Sequence, residues 1–268
     1  MLVSSSAAIL IRAASRVLLM GVLVVSAARC TGAGTATPAA HSSLRLAVST
    51  DVAPSVLALS PFPAGRVVVQ ASSGRAAIED VSMGYTDAAL VWGIEPAAQP
   101  PLAADVVASD ALAIIVHPDN RVGPLTLERA RRIFEGQVQD WAQLGQDIGA
   151  VQVITREPGS GIRDAFSRLV LDGRMVVGTA LVASTTDAML DYVSACRSAI
   201  GYVAASRLRE GVRALAVDGE RPEPAKVREG RYSLMAGLWL VYRPGGPGEA
   251  ILAWLLSEQG QEILGRSY

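Results

Sequence analysis

The chain has 268 residues, room for one large domain or two small lobes; half are hydrophobic and only 18% are charged, which excludes a disordered chain. Its 24 basic residues face 25 acidic ones, a net charge of −1, and that balance excludes non-specific nucleic-acid binding, which needs a basic surface to release counterions. Two cysteines, Cys30 and Cys196, and two histidines, His41 and His117, cannot build a disulfide framework or a zinc site, so neither metal nor cofactor is expected.

The first 16 residues contain Arg12 and Arg16 and no acid, and an apolar run of 12 residues, Val17 to Ala28, follows. A spanning helix needs about 20 residues, so the pattern reads as a secretory signal peptide over 1–30. Cys30 and a Gly/Ala/Thr/Pro-rich stretch after it resemble a bacterial lipoprotein signal, with Cys30 lipidated and 31–43 a flexible tether. Arg29 departs from that pattern, which leaves ordinary cleavage after Ala28 as an alternative, and a buried N-terminal core helix as another. Removing 1–30 with its three arginines takes the basic count from 24 to 21 against 25 acids, and the net charge from −1 to −4. A bound anion must then be held by a local site, not by the overall field.

Strands are expected at Leu44–Val48, Arg66–Gln70, Thr86–Trp92, Ala111–Val116, Val151–Ile154, Ala199–Val203 and Leu238–Tyr242. Continuous apolar runs of this kind suit strands buried on both faces of an α/β sheet. Helices are expected at Arg75–Val81, Leu127–Phe134 behind an N-cap Thr126, Ile162–Leu171, Thr186–Tyr192 and Gly248–Leu264. Trp92, Trp141, Trp239 and Trp254 read as packing, Cys196 as a buried small hydrophobe, and His117 as a strand end.

Chemistry concentrates in Ile154-Thr-Arg156-Glu-Pro-Gly-Ser160-Gly161-Ile162. A strand ends, a Pro-Gly turn follows, and a helix starts at Ser160. The first N–H groups of a helix lack internal partners and lie at the positive end of its dipole. With Gly161 permitting close backbone approach, and Arg156 within reach as a forked donor, this is an anion cradle. The same segment also fits an ordinary capped helix beside a surface arginine. It is neither a GxSxG nucleophile elbow nor a Walker loop. Ser72-Ser73-Gly74-Arg75 and Ser49-Thr50-Asp51 repeat the pattern, and strand ends presenting hydroxyls to helix starts are where open α/β sheets bind ligands.

Ile133-Phe-Glu-Gly136-Gln-Val-Gln-Asp-Trp141-Ala-Gln-Leu-Gly145 resembles the "I-F-x-G-x-x-x-x-W-x-x-L-G" signature of the phosphate-binding protein of bacterial phosphate ABC transporters. Arg156-Glu-Pro-Gly-Ser160-Gly161-Ile162 is similar to that family's "R-x-x-x-S-G-T" anion loop. Ala199-Ile-Gly-Tyr-Val203, Glu229-Gly-Arg-Tyr-Ser233 and Leu256 to Leu264 also fit, and the likeness covers about 44–266.

The resemblance implies a two-lobe, type II periplasmic binding-protein fold with hinge strands. Lobe 1 is expected at 44–116 and 207–268, lobe 2 at 117–206. It implies phosphate ligands at Thr50, Ser72, Ser73, Asp87, Arg156, Ser160, Gly161 and Ile162. Asp87 would accept a proton-bearing oxygen and repel sulfate. Ile162 replaces the family's threonine, losing a hydroxyl and keeping an N–H. Asp51 stands where the family has an aromatic residue; it either points away as the cap of a first helix or meets the site, with Arg75 as a candidate counter-ion.

The function so implied is capture of inorganic phosphate, or a related tetrahedral oxyanion, for an ABC permease. The protein would be an exported monomer in the periplasm or at the cell surface, touching the membrane only through a lipid anchor. The alternative is a surface sensor or interaction protein whose anion site is weakened or lost. No Ser/His/Asp or Cys/His set has supporting context, so no enzyme is expected.

Overall fold

The computed structural model describes residues 43–52, 62, 66–93 and 101–265. The signal-peptide reading of 1–30, Cys30 and the tether up to residue 42 lie outside the described residues.

The expected alternation of strands and helices is present. Strand β1 (Leu44–Ser49) is followed by β2 (Val67–Ser72), helix α1 (Gly74–Met83) and β3 (Ala88–Trp92). All five residues of β3 are buried, as a continuous apolar run between two layers of helix requires. Next come β4 (Ala103–Val116), α2 (Leu127–Phe134), β5 (Gln152–Arg156), α3 (Gly161–Leu169) and β6 (Leu181–Ala183). Then α4 (Thr186–Ala195), β7 (Ala199–Ala204), β8 (Arg213–Ala214), α5 (Pro224–Arg228) and β9 (Met235–Tyr242) lead to α6 (Gly248–Leu255) and α7 (Glu258–Gly265).

Among the described residues the strands run in the order β2-β1-β3-β9-β4-β7-β5-β6, with β8 on β4. The outer groups, β2-β1-β3 and β7-β5-β6, are parallel inside themselves. Strand β9 runs antiparallel to β3, β4 runs antiparallel to β7, and β4 and β9 are antiparallel to each other. Strand β4 joins the two groups: Ala103–Ala111 pairs with β9 and Leu112–Val116 with β7. The carboxyl ends of β1, β2 and β3 therefore face the helix starts that follow β5 and β6.

Local sequence explains most boundaries. Thr126 caps α2 by accepting from the Arg129 N–H at 3.1 Å, and α2 buries Ala130, Ile133 and Phe134. The expected single helix Gly248–Leu264 is two. Ser257 donates to the Trp254 carbonyl and accepts from the Gly260 N–H. Gly260 lies so close to the Trp254 carbonyl that a Cβ there would sit 2.2 Å from it, so the chain turns where an uninterrupted helix would continue.

The tryptophans pack as expected in part: Trp92, Trp141 and Trp254 are buried and Trp239 is partly covered. Two also carry hydrogen bonds, Trp92 Nε1 to Asp110 at 2.7 Å and Trp141 Nε1 to the Ser198 carbonyl at 2.8 Å. Cys196 is half-buried rather than buried, its Sγ 3.4 Å from Ser198 Oγ.

Candidate functional site

Arg156 ends β5, and its guanidinium is the largest polar group in the interior, 1% exposed. Two features fix it there. Its backbone N–H donates to the Tyr202 hydroxyl at 3.1 Å, which also bonds Thr155 Oγ1 at 2.8 Å. The Tyr202 ring stacks flat on Phe166 at 3.9 Å, so the aromatic core under α3 sets the height of the strand end. Burial pushes the Tyr202 phenol pKa up and keeps it a neutral hydrogen-bonding post.

The guanidinium fork serves two carboxylates. Nε and Nη2 donate to Glu157, each at 2.9 Å. Nη1 donates to Asp51 Oδ1 at 2.5 Å and to Thr186 Oγ1 at 3.2 Å. Burial opposes the arginine's charge, but Glu157 and Asp51 outweigh it and hold its pKa above the ordinary arginine value.

Asp51 resolves the alternatives left by the sequence. Its side chain is fully buried and meets the cradle: Oδ2 accepts from Ser160 Oγ at 3.1 Å and from the Ile162 N–H at 3.2 Å. Ser49 Oγ lies 3.4 Å from the same oxygen. Ser160 stands at the N-cap of α3 but makes no side-chain cap bond, because its hydroxyl is turned to Asp51. Arg75 is not the counter-ion; it is exposed and pairs with Asp164 at 2.9 Å.

The other expected residues divide. Ser73 caps α1, accepting from the Ala76 N–H, and the Arg75 N–H donates to the Gly159 carbonyl at 3.3 Å, which joins the Ser72-Ser73 turn to the anion loop. Ser72 is opposite Ser49 in the β1–β2 register and accepts the Thr50 N–H on its carbonyl at 3.1 Å. Thr50 is exposed and borders a cavity of about 200 Å³, together with Ser49, Ala71, Thr186, Asp187 and Arg207. Gly161 is buried under Gly93, where a Cβ would come within 3.1 Å of the Gly161 carbonyl. Ile162 offers its N–H as expected, while its side chain belongs to the core.

Asp87 is the exception. It precedes β3 and accepts from the Arg45 N–H at 2.7 Å and from Arg45 Nη2 at 3.2 Å. Ligand-facing residues follow the strands, and Asp87 lies six residues before Gly93, on the order of 20 Å back along β3. Asp87 stands at the opposite end of β3 from the anion loop, paired with Arg45, and the proton-testing role that the resemblance implied for it has no geometry here. The carboxylate the cradle does contain is Asp51.

Sequence reasoning missed Thr186, Glu157, Arg207 and Asp110. Thr185-Thr186 opens α4 as Ser72-Ser73 opens α1, so the same hydroxyl-before-helix rule could have found it; Glu157 is next in sequence to Arg156, its partner, and adjacency was the signal, whereas the partners of Arg207 are not local and left none. Asp110 lies on β4 at its passage between the two strand groups and accepts from Trp92 Nε1, Ser206 Oγ, the Ala111 N–H and the Ser206 N–H. Burial raises its pKa to about 6.

A guanidinium, a serine hydroxyl and a helix-start N–H thus converge from β5 and α3 on one carboxylate, that of Asp51, with the hydroxyls of Ser49 and Thr186 beside it. This is a site for one compact anion. Among the described residues no group of three or more His, Cys, Asp or Glu could hold a metal ion.

Known proteins share this fold. The phosphate-binding protein PstS of Bacillus subtilis (strain 168) is 28% identical over 242 residues, 82% of this chain and 79% of that protein. A Clostridium perfringens protein assigned as a phosphate ABC transporter substrate-binding protein, solved with bound phosphate, superposes with a TM-score of 0.77 at 26% identity, covering 84% of this chain and 98% of that one. An ABC-type phosphate transport receptor from Vibrio cholerae gives 0.72, again at 26% identity over 84% and 98%. The fold is the type II periplasmic binding-protein fold expected from the sequence. The family model described as the PBP superfamily domain matches residues 33–259, so this chain belongs to the PBP superfamily.

Proposed function

We propose that this protein is an exported solute-binding protein that captures inorganic phosphate and hands it to an ABC permease. The observation that carries the reading is the convergence of Arg156, the Ser160 hydroxyl and the Ile162 N–H on the two oxygens of one carboxylate, 1% or less exposed. The relatives covered over more than four-fifths of this chain are phosphate-binding and phosphate-transport proteins, which supports phosphate over other anions.

Capture makes and breaks no bond. The two lobes, 44–116 with 207–268 and 117–206, close around the anion, with β4 and β9 as the connecting strands; β4's pairing with β9 along Ala103–Ala111 and with β7 along Leu112–Val116 supports its role as a strand that passes between lobes. Arg156 supplies charge, Ser160 and Ile162 donate, Gly161 lets the backbone approach, and Thr50, Ser72 and Ser73 complete the first-lobe side. Closure expels water and strengthens each contact. The protein acts as a monomer outside the cytoplasm, Cys30 carrying a lipid that holds it at the membrane.

Calorimetric titration of the purified protein with phosphate, with sulfate and molybdate as controls at pH 7, tests the reading. Phosphate binding near micromolar, about −8 kcal/mol, and its loss in Arg156→Ala, is the expected result. A second reading, a sensor or interaction protein with a weakened anion site, is favoured by the Asp51 carboxylate inside the cradle. No heat with any of the three oxyanions would select it.

A further inference from the structure

We infer that Asp51 is an internal competitor for the anion site, so that phosphate binds only by exchanging with the Asp51 carboxylate. The inference rests on the phosphate-capture reading and adds what regulates the same site. A carboxylate accepts at about four positions, and Asp51 places its two oxygens on Arg156 Nη1, Ser160 Oγ, the Ile162 N–H and Ser49 Oγ. These are the donors an incoming oxyanion must use. One set of N–H and O–H groups cannot serve two anions at once, and two like charges in contact in a fully buried position repel strongly. Glu157 already holds the Nε/Nη2 edge of the Arg156 fork and Thr186 the second Nη1 N–H, so four of the five N–H groups are committed when Asp51 is in place.

The exchange has a path. Asp51 follows β1 directly, and the cavity of about 200 Å³ bordered by Ser49, Thr50, Thr186 and Arg207 adjoins its position. A water occupies roughly 30 Å³, so the space admits a displaced carboxylate. Arg207, which donates to the Val52 carbonyl at 3.4 Å and to Asp187 at 3.0 Å, is the cation on that side. The affinity measured from outside is then the intrinsic affinity reduced by the fraction of molecules in which Asp51 has left. Asp51 sets the phosphate level at which the protein fills, and it takes over the cradle when phosphate leaves.

The test is titration of the unaltered protein, Asp51→Asn and Asp51→Ser with inorganic phosphate at one pH and ionic strength, with far-UV circular dichroism as the check of folding. Both variants are expected to bind at least tenfold tighter than the unaltered protein. Equal or weaker binding by a folded variant overturns the exchange and leaves phosphate capture standing. No binding by the unaltered protein or by either folded variant removes the capture reading, and the inference with it. A crystal of the unaltered protein with phosphate decides the matter without substitution: Asp51 must have left Arg156, and Asp51 still paired with Arg156 beside a bound phosphate overturns the proposal.

Discussion

At the scale of single residues, the Arg156–Asp51 pair governs both stability and binding. Removing one member of a buried ion pair leaves the other charged and unpaired, at a cost of about 3–5 kcal/mol, so Arg156→Ala should lower the urea midpoint by a corresponding amount as well as end anion binding. Thr186→Val keeps the shape of a buried side chain and removes one acceptor from Arg156 Nη1; a loss of about 1.5–3 kcal/mol is expected in the same assay. Ile162→Thr is the instructive substitution. It restores the residue type that the resemblance leads one to expect, yet the Ile162 side chain is 1% exposed in the core. We expect destabilisation of about 1–3 kcal/mol from an unpartnered hydroxyl and no tighter phosphate binding in calorimetry. The residues of the anion loop were legible because strand, turn and helix start are written consecutively in the sequence. Asp51 was not, because its partner lies 105 positions away and no local pattern says which way its side chain turns.

At the scale of elements, β4 shows what periodicity hides. Ala111–Val116 reads as a strand because it is uniformly apolar, whereas Asp105, Ser109 and Asp110 disguise the preceding residues, which form the longer half of the same strand. The polar positions have partners that only the fold supplies: Tyr242 donates to Asp105 at 2.7 Å, and four donors meet Asp110. The missed helix α5 is only five residues long, too short for a periodic signal. Asp110 has a consequence for pH. Burial raises its folded pKa from 3.8 to about 6, so the fold favours its protonated form. The stability this group contributes is full below about 3.8 and is lost as pH rises through about 6. Asp110→Asn lacks that titration but sets an amide N–H against Trp92 Nε1, so it is less stable at acid pH. Denaturant melts at pH 4.5 and pH 7 should show the gap between the two proteins narrowing by about 2 kcal/mol.

At the scale of the whole molecule, ligand and fold are linked. A ligand held only by the folded state adds about 2.7 kcal/mol at one hundred times its Kd, which for a chain of this size is a rise of roughly 5–10 °C in Tm; phosphate should give that rise in a thermal melt, and Arg156→Ala should lose it. Strand β9 lies between β3 and β4, so the strand that completes the middle of the sheet is made only after β1 to β8. A chain emerging amino end first can pair β1, β2 and β3, but it has nothing to place beside β3 until residue 242 is free. Until β9 is made, the edges of β3 and β4 that it pairs with stay open. Truncation before Met235 should accordingly give a protease-sensitive polypeptide, whereas a chain that includes β9 should resist limited proteolysis.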